Sequence, residues 1–343
     1  MRILLSILLL LVLLPGYSGE QRLALLPADL PLAAQRVALD WRDPGRVRLG
    51  ELTFLGGVSL TSPVREFGGI SAMAVTGDSF TLLSDGGNLV RFRLDSNWRL
   101  SEVRASALPD GPGTGWSKLD RDSESLTRDP ATGRFWVGFE RANQIWRYDP
   151  AFERAEAHAA PRAMAKWPTN GGAEAMVRLR DGGFIVLGEN ARGTARRFHQ
   201  ALWFAGDPTL ARQRRFSFDY RAPAGYRPTD ITELPDGRLI VINRKASLRS
   251  AFTAVVTLFD RAAIRPGARV KGQEIARFAA PVVHDNFEAV AAVREGSETI
   301  LWIASDDNKY AVQRSLLLKF RLDEAPALKR RTARVPEGSG PVE

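Results

Sequence analysis

The chain has 343 residues, 44% of them hydrophobic and 25% charged, enough apolar material for a sizeable core in one large all-β domain or two smaller domains. It holds no cysteine, which excludes a disulfide scaffold, a cysteine-ligated zinc site, an iron–sulfur cluster and a thiol nucleophile. The formal net charge is +9, and 41 of the 48 basic residues are arginine, a side chain suited to bidentate pairing with phosphate and carboxylate.

At the N-terminus, Met1-Arg2 precedes an apolar stretch from Ile3 to Leu14, interrupted only by Ser6, and Pro15-Gly16-Tyr17-Ser18 follows. A charged start, a short apolar segment and small residues at Gly16 and Ser18 read as a signal peptide over residues 1–18. As a helix the apolar segment reaches about 18 Å, too short for a hydrocarbon core of roughly 30 Å. The expectation is a periplasmic or secreted protein with no transmembrane anchor after signal cleavage. Such a protein meets little nucleic acid, so the arginine excess points to a solvated surface or to a small anionic substrate. Local basic clusters stand at Arg192, Arg196, Arg197, at Arg212, Arg214, Arg215, and at Lys329, Arg330, Arg331, Arg334.

Residues 19–46 read as a lead-in, 47–335 as one repeat-built domain and 336–343 as a tail. In chain order, the repeat first shows Phe67-Gly-Gly-Ile-Ser71, a turn at Gly77-Asp78, and Phe80 to Asp85. It returns as Asp122-Ser-Glu124, Pro130 to Gly133, and Phe135 to Glu140; then as Asn170-Gly-Gly-Ala-Glu174, Asp181-Gly-Gly183, and Phe184 to Glu189. The fourth copy runs Pro228-Thr-Asp230, Pro235-Asp-Gly237, Leu239 to Asn243, and the fifth Asp285-Asn-Phe-Glu288, Glu295-Gly-Ser297, Ile300 to Asp306. A third, aromatic- and arginine-rich strand follows each pair. A fourth precedes each copy, at Leu49 to Leu60, Leu100 to Leu108, Glu153 to Ala160, Arg215 to Tyr220 and Val270 to Ala279. Ser71, Glu124, Glu174, Asp230 and Glu288 lie 53, 50, 56 and 58 residues apart, a period that suits one four-stranded antiparallel sheet per copy. The predicted fold is therefore all-β, a β-propeller of five visible four-stranded repeats. Gln35 to Trp41 and Leu328 to Val335 are further strand-like segments, which either close the ring or add a degenerate sixth blade.

Pairing the polar ends of each hairpin gives Ser71/Asp85, Glu124/Glu140, Glu174/Glu189, Asp230/Asn243 and Glu288/Asp306. If these ends converge on one channel mouth, their carboxyl groups raise one another's pKa and need compensation. A Ca²⁺ ion held by Glu124, Glu140, Glu174, Glu189, Asp230, Glu288 and Asp306 would supply it. So would arginines such as Arg121, Arg141, Arg227 and Arg244, or backbone N–H groups of neighbouring blades. Asn243 is a further oxygen donor. Of the three histidines, His158 and His199 read as ordinary surface residues, whereas His284, next to Asp285, reads as a general base or ligand near the mouth. No nucleophile elbow, Walker loop or HExxH helix occurs.

The segments Gly68-Gly-Ile-Ser71-Ala-Met, Leu83-Ser-Asp85-Gly-Gly, Asp122-Ser-Glu124-Ser-Leu, Phe139-Glu140, Asn170-Gly-Gly-Ala-Glu174-Ala-Met, Gly188-Glu189 and Asp285-Asn-Phe-Glu288-Ala-Val resemble the bacterial phytase-like domain family, known by an esterase-like activity of phytase. The resemblance covers about residues 47–322 and departs from the family at Gly86-Gly87, where Arg-Gly is expected. It implies an exported propeller with a hydrolytic role on esters or phosphate esters; joined to the acid ring, the expectation is metal-assisted hydrolysis of a small anionic ester with His284 and Asp285 as catalytic groups. Two other readings stand beside it: a non-catalytic propeller that binds an envelope ligand or protein, and a calcium-dependent lactonase similar to gluconolactonase- and paraoxonase-type propellers.

Overall fold

The computed structural model describes residues 23–195, 197–247, 251–310 and 312–323. The expected signal segment 1–18, the strand-like segment Leu328 to Val335 and the tail 336–343 lie outside them. Among the described residues there are five sheets, antiparallel but for one short parallel pair, each led by an inner strand. The inner strands are Ile70–Thr76, Ser123–Arg128, Ala173–Arg178, Arg227–Glu233 and Asn286–Glu295, numbered here as blades 1 to 5. Each inner strand packs beside the next and the fifth beside the first, closing a five-bladed propeller.

The second strands show why the sequence folds this way. Runs such as Phe184-Ile-Val-Leu187 and Leu239-Ile-Val-Ile242 are apolar throughout, and successive side chains point to opposite faces of a strand. Phe184 and Val186 accordingly enter the core between blades 2 and 3, and Ile185 and Leu187 the core between blades 3 and 4. Leu239 and Val241 share that second core, whereas Ile240 and Ile242 face blade 5. Each of the five hydrophobic clusters fills one gap between neighbouring blades.

Polar ties cross the same gaps near the axis. The Ser71 hydroxyl donates to the Ser123 carbonyl at 2.6 Å, Ser125 to Ala173 at 3.2 Å and Thr229 to Phe287 at 3.1 Å. Blade 5 meets blade 1 where the Gly69 N–H donates to the Asp307 carboxylate at 3.0 Å.

The ring is closed by strand Leu52–Thr61, which pairs antiparallel with Ser315–Leu322 and so joins the start of the domain to its end. This is the segment expected to be a fourth strand. The Gln35 to Trp41 region supplies a short strand, Ala33–Arg36, on the outer edge of Leu52–Thr61, so it thickens blade 5 and builds no sixth blade. The strand expected over Val270 to Ala279 is split at Gly272. Arg269–Lys271 runs parallel to the outer strand of blade 3, and Gln273–Phe278 pairs with blade 4. A Cβ at Gly272 would sit 2.6 Å from the Thr257 Cβ, and the absence of a side chain lets the crossing chain pass that close.

Leu318 is fully buried on the closing strand pair. Leu318→Ala is expected to cost about 2–5 kcal/mol, the usual range for a buried leucine truncation. Urea titration checks this, and an unchanged midpoint would show that the closing seam contributes little.

Candidate functional site

At the acid-bearing mouth of the channel, every inner strand carries one residue that the hydrogen-bond ladder skips. The pairing register shifts between Ile70 and Ala72, Ser123 and Ser125, Ala173 and Ala175, Pro228 and Asp230, and Phe287 and Ala289. The skipped residues are Ser71, Glu124, Glu174, Thr229 and Glu288. A β-bulge re-aims a side chain; here Ser71, Glu124, Glu174 and Glu288 all line one cavity of about 480 Å³. The second strands contribute the residue that follows the partner of the pre-bulge residue: Asp85, Glu140, Glu189, Arg244 and Asp306.

Blade 4 therefore differs from the sequence expectation by one residue at each end of its hairpin. Thr229 occupies the bulge, and Asp230 sits one step on, where a single-residue shift sends a side chain to the other face. Its carboxylate accepts the Ile231 N–H at 2.8 Å and the Val290 N–H at 2.7 Å, tying blade 4 to blade 5 away from the cavity. Asn243 is fully buried and saturated, receiving the Tyr220 hydroxyl at 2.9 Å and donating to Val241, Val255 and Thr257. The cavity position belongs to Arg244.

His284 and Asp285 do not line the cavity either. His284 Nδ1 lies 2.7 Å from the Val282 carbonyl. Asp285 accepts the Asn286 N–H at 3.0 Å and the Arg314 N–H at 3.2 Å, holding the chain after Asp306. Both act in a loop turn. His158 stacks on Trp146 with ring centroids 4.5 Å apart. His199, expected on the open surface, is half-buried beside the site, its Nδ1 2.6 Å from the Glu189 carbonyl.

Seven carboxyl groups and three basic side chains line the cavity, an excess of four acids. Arg244 is the central cation. Its guanidinium lies 2.8 Å from Glu189 and 3.0 Å from Glu288 and donates to the Asn286 side chain at 2.8 Å. Burial works against that charge, but Glu288, Glu189 and Glu174 more than offset it and raise its pKa. Lys118 pairs with Asp85, and Arg227 stands 3.8 Å from Glu189. The remaining acids are poorly compensated. Burial, followed by the nearby charges of Asp122, Glu140, Asp85 and Glu288, pushes Glu124 well above the ordinary carboxyl range. Burial and its neighbours Glu124 and Glu189 do the same to Glu174. Glu140 is pushed up to about 7, mainly by burial. Glu288 also reaches about 7, burial outweighing the opposing pull of Arg244.

Asp122, Glu124 and Glu140 form the tightest group, each offering a ligand oxygen within 4.8 Å of the others. All donors are hard oxygens, and their charge is in excess, so they suit a hard cation such as Ca²⁺ better than a softer metal. Asp122 was absent from the expected ligands although the Asp122-Ser-Glu124 spacing contains it; Asp122 just precedes the strand, Ser123 is paired and Glu124 is skipped, and the two carboxyls meet. Glycine shapes the same corner. Gly171, at φ +90, donates its N–H to the Glu140 carboxylate, and a Cβ there would meet the Asn190 side chain at 2.1 Å.

A family model described as phytase-like, with esterase-like activity of phytase, matches residues 65–309. No curated protein matches the sequence. Among solved structures the chain is similar to a protein assigned as a gluconolactonase, at 10% identity and TM-score 0.44 over 90% of this chain and 94% of that one. It is also similar to a glutaminyl cyclase from Myxococcus xanthus, at 10% identity and TM-score 0.44 over 75% and 91%. The β-propeller domain of Cps50 (Swd1) from Myceliophteria thermophila matches at 12% identity and TM-score 0.37 over 77% and 74%.

Carboxyls whose pKa is raised on folding stabilise the fold fully below their unfolded value of about 4.5 and lose that contribution as pH climbs through about 7. The melting temperature in EDTA is therefore expected to fall by on the order of 5 °C or more between pH 5 and pH 8. Glu124→Gln, which removes one repelling charge, should flatten the fall. A melting temperature that is level over this range, measured by calorimetry, contradicts the ring's mutual repulsion.

Proposed function

The chain belongs to the phytase-like family characterised by esterase-like activity of phytase, and from that membership together with the ring of carboxyl groups we propose that it hydrolyses phosphate or carboxylate esters at the acid-lined mouth of its channel. The observation that carries this reading is the pair Glu288 and Arg244, in contact at 3.0 Å on the cavity wall.

Glu288, with its pKa near 7, exists at neutral pH as a mixture of acid and base. It can accept a proton from an attacking water and return it to a leaving oxygen, the match of pKa to working pH that general acid–base catalysis favours. Arg244 is fixed by Glu189, Glu288 and Asn286 and presents an immobile positive charge to an ester oxygen as negative charge develops there. Ser71 is not the nucleophile in this scheme, because its hydroxyl is committed to the Ser123 carbonyl. Asp122, Glu124 and Glu140 would hold a Ca²⁺ ion, which supplies charge neutralisation and Lewis acidity to such a site when bound. Among the described residues no helix is long and apolar enough to cross a membrane; export to the periplasm or medium is proposed on the Met1 to Ser18 segment.

Purified protein assayed with 4-nitrophenyl acetate, phytate and a lactone, each with Ca²⁺ and with EDTA, tests the reading. Calcium-dependent turnover on at least one class is expected, and Glu288→Gln should lower kcat about 10²–10⁴-fold with a smaller effect on KM. Lactone opening alone would assign the lactonase chemistry. No turnover on any class, with or without calcium, would move the assignment to a binding propeller.

The cation site has its own readout. Calorimetric titration with Ca²⁺ should show saturable binding to the wild type that weakens at least tenfold in Glu124→Gln; equal affinities would place the ion elsewhere or nowhere.

A further inference from the structure

We propose that the arginine-lined pocket adjoining the acid cavity is a second subsite, which binds an anionic group, phosphate or carboxylate, on the same substrate whose ester bond lies at the ring. This rests on the hydrolase reading above and names the substrate class: an ester carrying a separate negative charge.

The pocket has a volume of about 880 Å³, and Arg192, Arg197 and Arg227 line it. It shares Glu189 and Arg227 with the acid cavity, so one ligand can occupy both. Its wall is an extension of blade 3. Pairing between the second and third strands lapses after Leu187 and Ala201 and resumes at Arg192 and His199. The hairpin tip is anchored. Asp219, 4% exposed, accepts the Thr194 N–H at 2.9 Å and also its hydroxyl. Phe198 lies against the guanidinium groups of Arg221 and Arg269, at 5.9 and 5.3 Å.

Neither the Arg192 nor the Arg197 side chain has an acid or a hydrogen-bond partner among the described residues. Two guanidinium groups without protein counter-ions, on a wall fixed by a buried carboxylate, present open forks to an anion. The neighbouring cavity supplies the reason for them. A basic pocket at the edge of a cavity lined by seven carboxyl groups gives an anionic group a place apart from them while leaving the ester over the acids. Pro168, Ala191 and Phe198 give the pocket an apolar side suited to the body of such a molecule.

Calorimetric titration of the full chain in EDTA and low salt, using phenyl phosphate and benzoate as probes and phenol as the neutral control, tests the subsite without turnover. The wild type should bind at least one anionic probe saturably and phenol not at all. Raising the salt should weaken binding. The double variant Arg192→Gln/Arg197→Gln should bind at least tenfold more weakly while melting at the wild-type temperature, both side chains being exposed. Glu288→Gln should bind no more weakly than the wild type, which separates the subsite from the chemistry: binding without hydrolysis would fail the hydrolase reading alone. The tighter of the two probes assigns the anionic group. Equal affinity of the wild type and the double variant, or no saturable binding of either anion, overturns the proposal.

Discussion

One constraint governs the site: a β-bulge placed once per blade, at the same height on each inner strand. In an unbroken strand the strict alternation of side chains would commit every second residue to one gap between blades. The skipped residue escapes that alternation, so Glu124, Glu174 and Glu288 line the channel mouth while their neighbours stay in the ladder and the cores. The same device explains the hydroxyls. Where the bulge holds Ser71 or Thr229, the side chain is short enough to turn back and donate to the carbonyl just before the next blade's bulge.

Blade 4 is the exception that makes the ring tenable. It contributes Thr229 and Arg244 where blades 2 and 3 contribute two glutamates each. Its guanidinium sits between Glu189 from blade 3 and Glu288 from blade 5, the position from which one cation reaches acids on both sides. Blade 1 is next in weight, with a serine at its bulge and Asp85 held by Lys118. The acids without such partners concentrate on blade 2, where Asp122, Glu124 and Glu140 meet, with Glu174 of blade 3 lining the same cavity. The asymmetry divides the mouth into a compensated half and an uncompensated half, and only the second invites a foreign cation.

Much of the architecture could be read from residue patterns, because blade cores demand apolar runs on both faces of the second strands and turns of glycine, proline and aspartate between them. Ser71, Glu124, Glu174 and Glu288 were legible for the same reason: each follows a recurring motif at a regular interval. Asp230 and Asn243 were misplaced because the fourth copy offers an acid and an amide one position from where the bulge falls, and composition alone does not fix a bulge. His284 and Asp285 looked catalytic by adjacency to Glu288, yet the chain turns between them and the strand, and both side chains serve the turn. Arg244, named from the sequence only as one of four possible counter-charges, takes its place in the ring when the copies are aligned on Gly188, Asn243 and Ser305, the partners of the residue before each bulge, instead of on the nearest acid.

The seam in blade 5 has a consequence for how the molecule comes into being. Its Leu52–Thr61 strand finds its partner only at Ser315–Leu322, with nearly the whole domain between them. A chain that emerges N-terminus first must hold an orphan strand, with unpaired amide and carbonyl groups along one edge, until the last hairpin appears. Contacts so remote in sequence form slowly, and an uncovered strand edge invites association with other chains in the meantime. The outer strand Ala33–Arg36, pairing with the far edge of Leu52–Thr61, shields one side of that orphan during the wait.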